Sequence, residues 1–214
     1  MSKLFLEILD KDRRDIFSKL VKFSSDGVLA GGTAIALQIG HRLSYDFDIF
    51  TNKPIAPNLW TKVKQIFGRN CVKTMGTKTQ LNFYSPTSIR MTFYFAEFPP
   101  LFPTVKTNSI DLFDLRDLAT NKAYTIGQRG KWRDYVDLYF LIKGNYISMD
   151  ELVALSVRRY KSDFPEKLFL EQLSYFGDLD DFDIKYCADS TAPVEIKGFL
   201  VDAARRFIDS RAIS

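Results

Sequence analysis

Asp46 and Asp48 stand two residues apart in "YDFDIF", residues 45–50. On a β-strand, side chains at that spacing share a face, so the two carboxylates point one way while Tyr45, Phe47 and Ile49 point the other way, toward a core. Two like charges held that close repel, and each raises the other's pKa unless a cation lies between them. Oxygen donors alone suit magnesium, so the pair reads as a metal seat. A carboxylate-bound metal carrying phosphate oxygens aligns an attacking hydroxyl with a leaving pyrophosphate, the clamp role of metals in phosphoryl and nucleotidyl transfer.

Upstream, "LAGGTAIALQIG" sets Gly31, Gly32 and Thr33 between a short apolar run and a helical pattern. A glycine turn there lets backbone approach a ligand, and the open amides and dipole of the following helix favour an anion such as phosphate. Thr33 can cap that helix or hydrogen-bond a phosphate. Taken singly, a Gly-Gly turn commonly serves packing, and two aspartates on a strand are commonly surface polarity. One short helix separates these two, and it returns the chain so that the second strand lies beside the first and both features face one cleft. Between them, in "GHRLSYD", Arg42 offers a planar fork for phosphate and Ser44 a hydroxyl. His41 is the sole histidine, which excludes a two-histidine mechanism and gives it a structural reading first.

A second constellation lies in "LFDLRDLATNKAYTIGQRGKWRDYVDLYFLI". Lys122 interrupts a run that otherwise suits a core, so it either snorkels to the surface or reaches a phosphate. Arg129, Lys131 and Arg133 flank Asp134 and Asp137, which are one helical turn apart and share a face. First-turn carboxylates also stabilise a helix through its dipole, so a structural and a catalytic role stand level on spacing alone.

The elements that must position these residues follow from periodicity. Residues 3–23 read as one amphipathic helix ended by "SSDG". "VLA" is a strand, 33–39 a helix ended by Gly40, and "YDFDIF" a strand; a helix from 58 to 67 precedes three β-rich runs, "CVKTM", "TQLNFYS" and "SIRMTFYFAEF", expected to form a meander on the same sheet. A short strand is expected near "NSIDL". Helical patterns then occupy about 114–127, 132–143, 149–160, 165–175 and 194–209, and the acidic "GDLDDFD" at 177–183 reads as a solvated loop. The expected architecture is α+β: a mixed sheet with flanking helices over 1–110, then a helical domain over 111–214.

With 214 residues, 46% apolar, the chain has the material for a core in each part. No stretch approaches the roughly 20 apolar residues of a membrane span, and "MSKLFLEILDKDRRD" is too charged for a signal peptide, so a cytoplasmic location without membrane contact is expected. Cys71 and Cys187, far apart and without a CxxC, suggest neither a disulfide nor zinc and read as two buried thiols. Residues 1–110 hold 15 Lys and Arg against 8 Asp and Glu, a basic surplus that suits a polyanionic partner.

"GGTAIALQIGHRLSYDFDIF" together with "DLRDLATNKAYTIGQRGKWRDYVDLYFLI" resembles the AbiEii/AbiGii toxin family of nucleotidyltransferases, within the polymerase-β-like superfamily, over roughly residues 27–143. The resemblance implies a minimal nucleotidyltransferase core and a helical domain, with nucleoside triphosphate and magnesium in the cleft. It implies Gly31, Gly32 and Thr33 as the phosphate-binding turn, with Arg42 and Ser44 beside it, and Asp46 and Asp48 as the metal pair. It implies Lys122 on the triphosphate and Asp134 as the fourth motif's aspartate. Active members transfer nucleotides to RNA, in some cases to transfer RNA acceptor ends, and are neutralised by a cognate antitoxin without a stable complex. The expected function is therefore a toxin of a toxin–antitoxin or phage-defence pair.

One departure from the pattern concerns the third carboxylate common in the superfamily. On the candidate strand "IRMTFYFAEF", Thr92 stands near its place and Glu97 lies close to the strand's end. Two alternatives follow: a nucleotide-binding or interaction module of the same fold without chemistry, and an enzyme that nucleotidylates protein hydroxyls.

Overall fold

The computed structural model describes residues 3–187 and 190–212, with the side chain of Arg129, one of the cations noted above, outside the described atoms. The chain divides into two compact units, Met1–Asp114 and Leu115–Ser214.

The first unit is built on a five-stranded mixed sheet of β1 (Val28–Ala30), β2 (Phe47–Thr51), β3 (Val72–Gly76), β4 (Gln80–Tyr84) and β5 (Arg90–Phe95), in the order β1-β2-β5-β4-β3. Only β2 and β5 run parallel, and the chain between them passes through α3 (Leu59–Phe67), β3 and β4. The expected meander, β3 to β5, extends the sheet that carries "DFDIF". Alternation then sorts the side chains. Phe47, Ile49, Leu81, Phe83, Met91 and Phe93 form one buried face, closed by Leu59, Val63 and Phe67 of α3. Phe23 joins them, 5.6 Å from Phe67 and 5.2 Å from Phe93 between ring centroids. Each such side chain contributes about 1.5–3 kcal/mol of burial, and this layer fixes which way β2 faces. The opposite face carries Asp48, Thr92 and Asn82, paired in one row across β2, β5 and β4.

The amino-terminal segment departs from the single helix expected. It is a 3-10 turn at Leu6–Ile8, helix α1 (Lys11–Lys19), and a second 3-10 turn at Leu20–Phe23. Leu9 and Asp10 are extended, and the Asp10 carboxylate caps α1 by accepting from the Arg13 amide at 2.9 Å. That capping preference overrides the apolar period. The Arg13 amide, ahead of the guanidinium, also draws the Asp10 carboxyl below its ordinary value.

The strand expected at "YDFDIF" begins only at Phe47. Tyr45 does not enter the core; it is 44% exposed, with the Arg13 guanidinium 5.1 Å from its ring centroid. "NSIDL" yields isolated bridges of Leu112 with Leu29 and Val105 in place of a strand. Of the cysteines, Cys71 is buried as expected, but Cys187 is exposed because it lies outside any helix in an irregular segment.

The second unit contains α4 (Leu115–Arg129), α5 (Trp132–Lys143), α6 (Met149–Tyr160), α7 (Glu166–Gln172) and α8 (Pro193–Ala212), close to the expected helical stretches. Its core includes Leu118, Ala119, Ala123, Ile126, Tyr135, Leu138, Leu152 and Phe169. Buried in the same unit, Arg159 bonds the Asp117 carbonyl and Thr120 Oγ1, each at 2.9 Å, tying α6 to α4. The acidic 177–183 stretch is irregular, and Phe182 within it packs 4.9 Å from the Trp132 ring. Among the described residues no helix is long and apolar enough to cross a membrane.

Candidate active site

The first unit places the glycine turn directly against one of the carboxylates. β1 pairs with β2 so that Ala30 faces Asp48, and the next residue, Gly31, opens helix α2 (Gly31–Ile39) with φ +66°. A Cβ built on Gly31 would lie 2.5 Å from Asp48 Oδ2. The glycine thus meets two demands at once: a left-handed backbone and the close approach of a carboxylate. Gly31→Ala is expected to cost about 1–3 kcal/mol of stability and to push the Asp48 side chain from its place. Thermal unfolding and transfer activity check this, and a variant unchanged in both would show that the turn tolerates a side chain.

Gly32 and Thr33 form the rest of the first turn of α2, whose open amides make the positive end of the helix. Thr33 is buried, shares a hydrogen bond of 2.8 Å with Ser44, and donates to the Asp46 carbonyl oxygen. These two hydroxyls therefore tie the turn to the segment that leads into β2. Gly40, at φ +66°, ends α2 and reverses the chain into His41 and Arg42, both buried. Arg42 Nη1 donates to the Leu43 carbonyl at 2.9 Å. The structure thus brings Gly31, Gly32, Thr33, Arg42, Ser44, Asp46 and Asp48 into one unit, with Gly31, Thr33 and Ser44 linked directly to the carboxylate segment.

The row beyond Asp48 is neutral. Thr92 pairs with Asp48 in the parallel register and Asn82 pairs with Thr92 on its other side, and both are buried. Asn82 bonds the Gln80 side chain at 2.9 Å through Oδ1. Thr92 has no acidic proton to exchange at neutral pH, so a general base has to come from another residue.

In the second unit, Lys122 on α4 is buried between two carboxylates of α5. Its Nζ lies 2.7 Å from Asp134 Oδ1 and 2.7 Å from Asp137 Oδ2. Asp134 also accepts from the Lys131 amide at 3.2 Å, closing a capping box at the start of α5. The shared face expected for Asp134 and Asp137 is thus occupied by one ammonium group. Asp137 is the member of this network that spacing alone left without a committed role. Arg13, whose Nε donates to the Tyr45 carbonyl at 3.0 Å, is linked to the carboxylate segment by nothing local in the sequence.

The donor chemistry fits a magnesium ion. Asp46 and Asp48 are half-buried oxygen donors, and Asp48 rests in a cradle that only a glycine leaves open. Among the described residues no group of three or more His, Cys, Asp or Glu gathers as a metal cage. A two-carboxylate seat is what magnesium uses when substrate phosphates and waters complete its shell.

Comparison with known proteins places the chain in a family and a fold. A family model described as "Nucleotidyl transferase AbiEii toxin, Type IV TA system" matches residues 15–202. An uncharacterized protein of Aquifex aeolicus (strain VF5) is 31% identical over 175 residues, covering 79% of this chain and 84% of that one. Among solved structures, JHP933 from Helicobacter pylori is similar in fold at TM-score 0.52 and 15% identity, covering 96% of this chain and 98% of that one. MenT4, the nucleotidyltransferase toxin Rv2826c from Mycobacterium tuberculosis H37Rv, is similar at TM-score 0.58 and 13% identity, covering 89% of this chain and 81% of that one. A mixed sheet carrying a glycine turn against a carboxylate, in a chain matched by the family model over most of its length, leads to one conclusion: this protein belongs to the AbiEii toxin family of nucleotidyltransferases.

Proposed function

We propose that the protein is a magnesium-dependent toxin that transfers a nucleotide from a nucleoside triphosphate to a hydroxyl of an RNA, with transfer RNA acceptor ends within that class, and that a cognate antitoxin opposes it in the cell. The observation that carries this reading is the contact of Gly31 with Asp48, which sets the amino-terminal end of α2 beside a carboxylate.

Each group then has a task. The first-turn amides of Gly31, Gly32 and Thr33 hold phosphate oxygens at the positive end of α2. Asp46 and Asp48 hold the metal, which when bound neutralises triphosphate charge and orients the leaving pyrophosphate. Arg42 and Ser44 hold the triphosphate beside that turn and stiffen the segment between turn and strand, and Thr33 fixes the carbonyl of Asp46. Lys122 and Asp134 enter through their motif: an ammonium group for triphosphate charge, oriented by Asp134 and Asp137, and a carboxylate to take the proton of the attacking hydroxyl. Asp134 takes the last task as the fourth motif's aspartate, the role that the resemblance implies for it. The basic surplus of residues 1–110 favours a polyanionic acceptor.

Labelled nucleoside triphosphates added to a cell lysate with the purified protein separate the acceptors. Label is expected in material destroyed by ribonuclease and resistant to protease. Label that survives ribonuclease and migrates with protein would assign the acceptor to a protein hydroxyl and overturn the RNA reading.

A further inference from the structure

The segment that presents Asp46 is not held by the sheet. Strand pairing begins at Phe47, opposite Met91, so the carbonyls of Tyr45 and Asp46 lie just ahead of the ladder. Each is held by a side chain instead. Thr33 donates its hydroxyl to the Asp46 carbonyl, and Arg13 donates Nε to the Tyr45 carbonyl at 3.0 Å, from 32 residues upstream.

Arg13 is itself oriented from three directions. Its amide bonds the capping Asp10 at 2.9 Å, its Nη1 pairs with the other oxygen of the same carboxylate, and its guanidinium lies 5.1 Å from the Tyr45 ring centroid. The side chain is 19% exposed whereas Asp10 is 55% exposed, so the arginine is turned inward toward residue 45. An arginine serving only as a surface partner for Asp10 has no reason to be turned that way. It also precedes the 15–202 stretch that the family model matches.

From these contacts we infer that Arg13 is a positioning residue for Asp46: with Thr33 it clamps the Tyr45–Asp46 backbone and so fixes where the Asp46 carboxylate stands. The inference rests on the proposed metal-holding role of Asp46. The clamp acts where small displacements are costly, because a shift of about 1 Å in a reacting geometry lowers rates by about 100-fold. Loss of the clamp leaves the carboxylate present but loosely held, so both metal affinity and kcat fall, while the triphosphate KM, set in part by the amides of α2, moves less.

The test uses the whole chain and Mn2+ alone as probe, followed by electron paramagnetic resonance, with amide hydrogen exchange at residues 45–48 and steady-state kinetics alongside. Arg13→Ala is expected to weaken Mn2+ about 10-fold, to speed exchange at Asp46 and Phe47, and to lower kcat about 10- to 100-fold with KM changed less than about 3-fold. Arg13→Lys retains a donor for the Tyr45 carbonyl and is expected to recover most of each. Asp10→Asn keeps a capping side chain but loses the charge that orients Arg13, and is expected to fall between. If Arg13→Ala does not fold, the Lys and Asn variants carry the test, since the clamp requires their order. Asp46→Ala separates the two layers of the claim. Unchanged Mn2+ binding in Asp46→Ala would remove the metal role itself. Binding lost in Asp46→Ala but unchanged in Arg13→Ala, with unchanged exchange, would overturn the clamp alone.

Discussion

Lys122→Met will destabilise the helical unit by about 3–5 kcal/mol, the cost of removing one partner from a buried ion pair. The magnitude follows from where the two carboxylates sit. Asp137 is 0% exposed and Asp134 nearly so, and one ammonium lies 2.7 Å from an oxygen of each. Methionine fills much of the lysine's volume, so packing is largely kept and the loss is electrostatic. Two neighbouring carboxylates are then left without the ammonium group between them, which is the source of the cost. The double variant Lys122→Met/Asp137→Asn removes one of those charges and is expected to recover about 1–3 kcal/mol of the loss. Urea denaturation of the three proteins measures both values from the midpoints at constant slope. A midpoint for Lys122→Met equal to that of the wild type would show that the network contributes nothing to folding.

Asp46→Asn and Asp48→Asn, separately, will each lower nucleotidyl transfer by about 10³-fold or more, equivalent to about 4 kcal/mol of transition-state stabilisation. Asparagine keeps the shape of each side chain, including the contact of residue 48 with Gly31, and removes only the charge. Both positions are half-buried and asparagine fits the space of each, so the thermal midpoint should stay within a few degrees of wild type. The triphosphate should still reach the amides at the start of α2 in the absence of metal. Pyrophosphate release and calorimetric triphosphate binding, measured on the same preparations, separate these effects. Transfer within about 10-fold of wild type in both variants would mean that neither carboxylate carries the metal.

How much of this was legible depends on the range over which each signal acts. Helix α2 and strand β2 were legible except at their starts: the helix is expected from Thr33 and opens at Gly31, and the strand is expected from Tyr45 and begins at Phe47, whereas Gly40 ends the helix at φ +66° and alternation defines the strand. The carboxylate pair was legible from residue type. That Gly31 touches Asp48 was not, since it follows from the Ala30–Asp48 register, a property of strand pairing between segments 18 residues apart. Arg13 was invisible for the same reason: its role comes from a bond to Tyr45 across 32 residues, and its own neighbourhood looks like an ordinary charged helix start. The amino-terminal helix is shorter than its apolar period implies because that period passes over Asp10, whose cap restarts the chain. Tyr45 was placed in the core by alternation that starts only at Phe47. In the helical unit, the spacing of Asp134 and Asp137 gave their common face but not what that face meets, and Lys122 was read toward the triphosphate without its two carboxylate partners.

The most direct test of the central claim is transfer itself. Purified protein is incubated with total RNA, magnesium and each of the four labelled nucleoside triphosphates in turn, beside the Asp46→Ala/Asp48→Ala double variant. A labelled RNA band is expected with at least one triphosphate, and its loss in the double variant at unchanged thermal stability. No label with any of the four, or equal label from the double variant, would contradict the assignment of the reaction to this site.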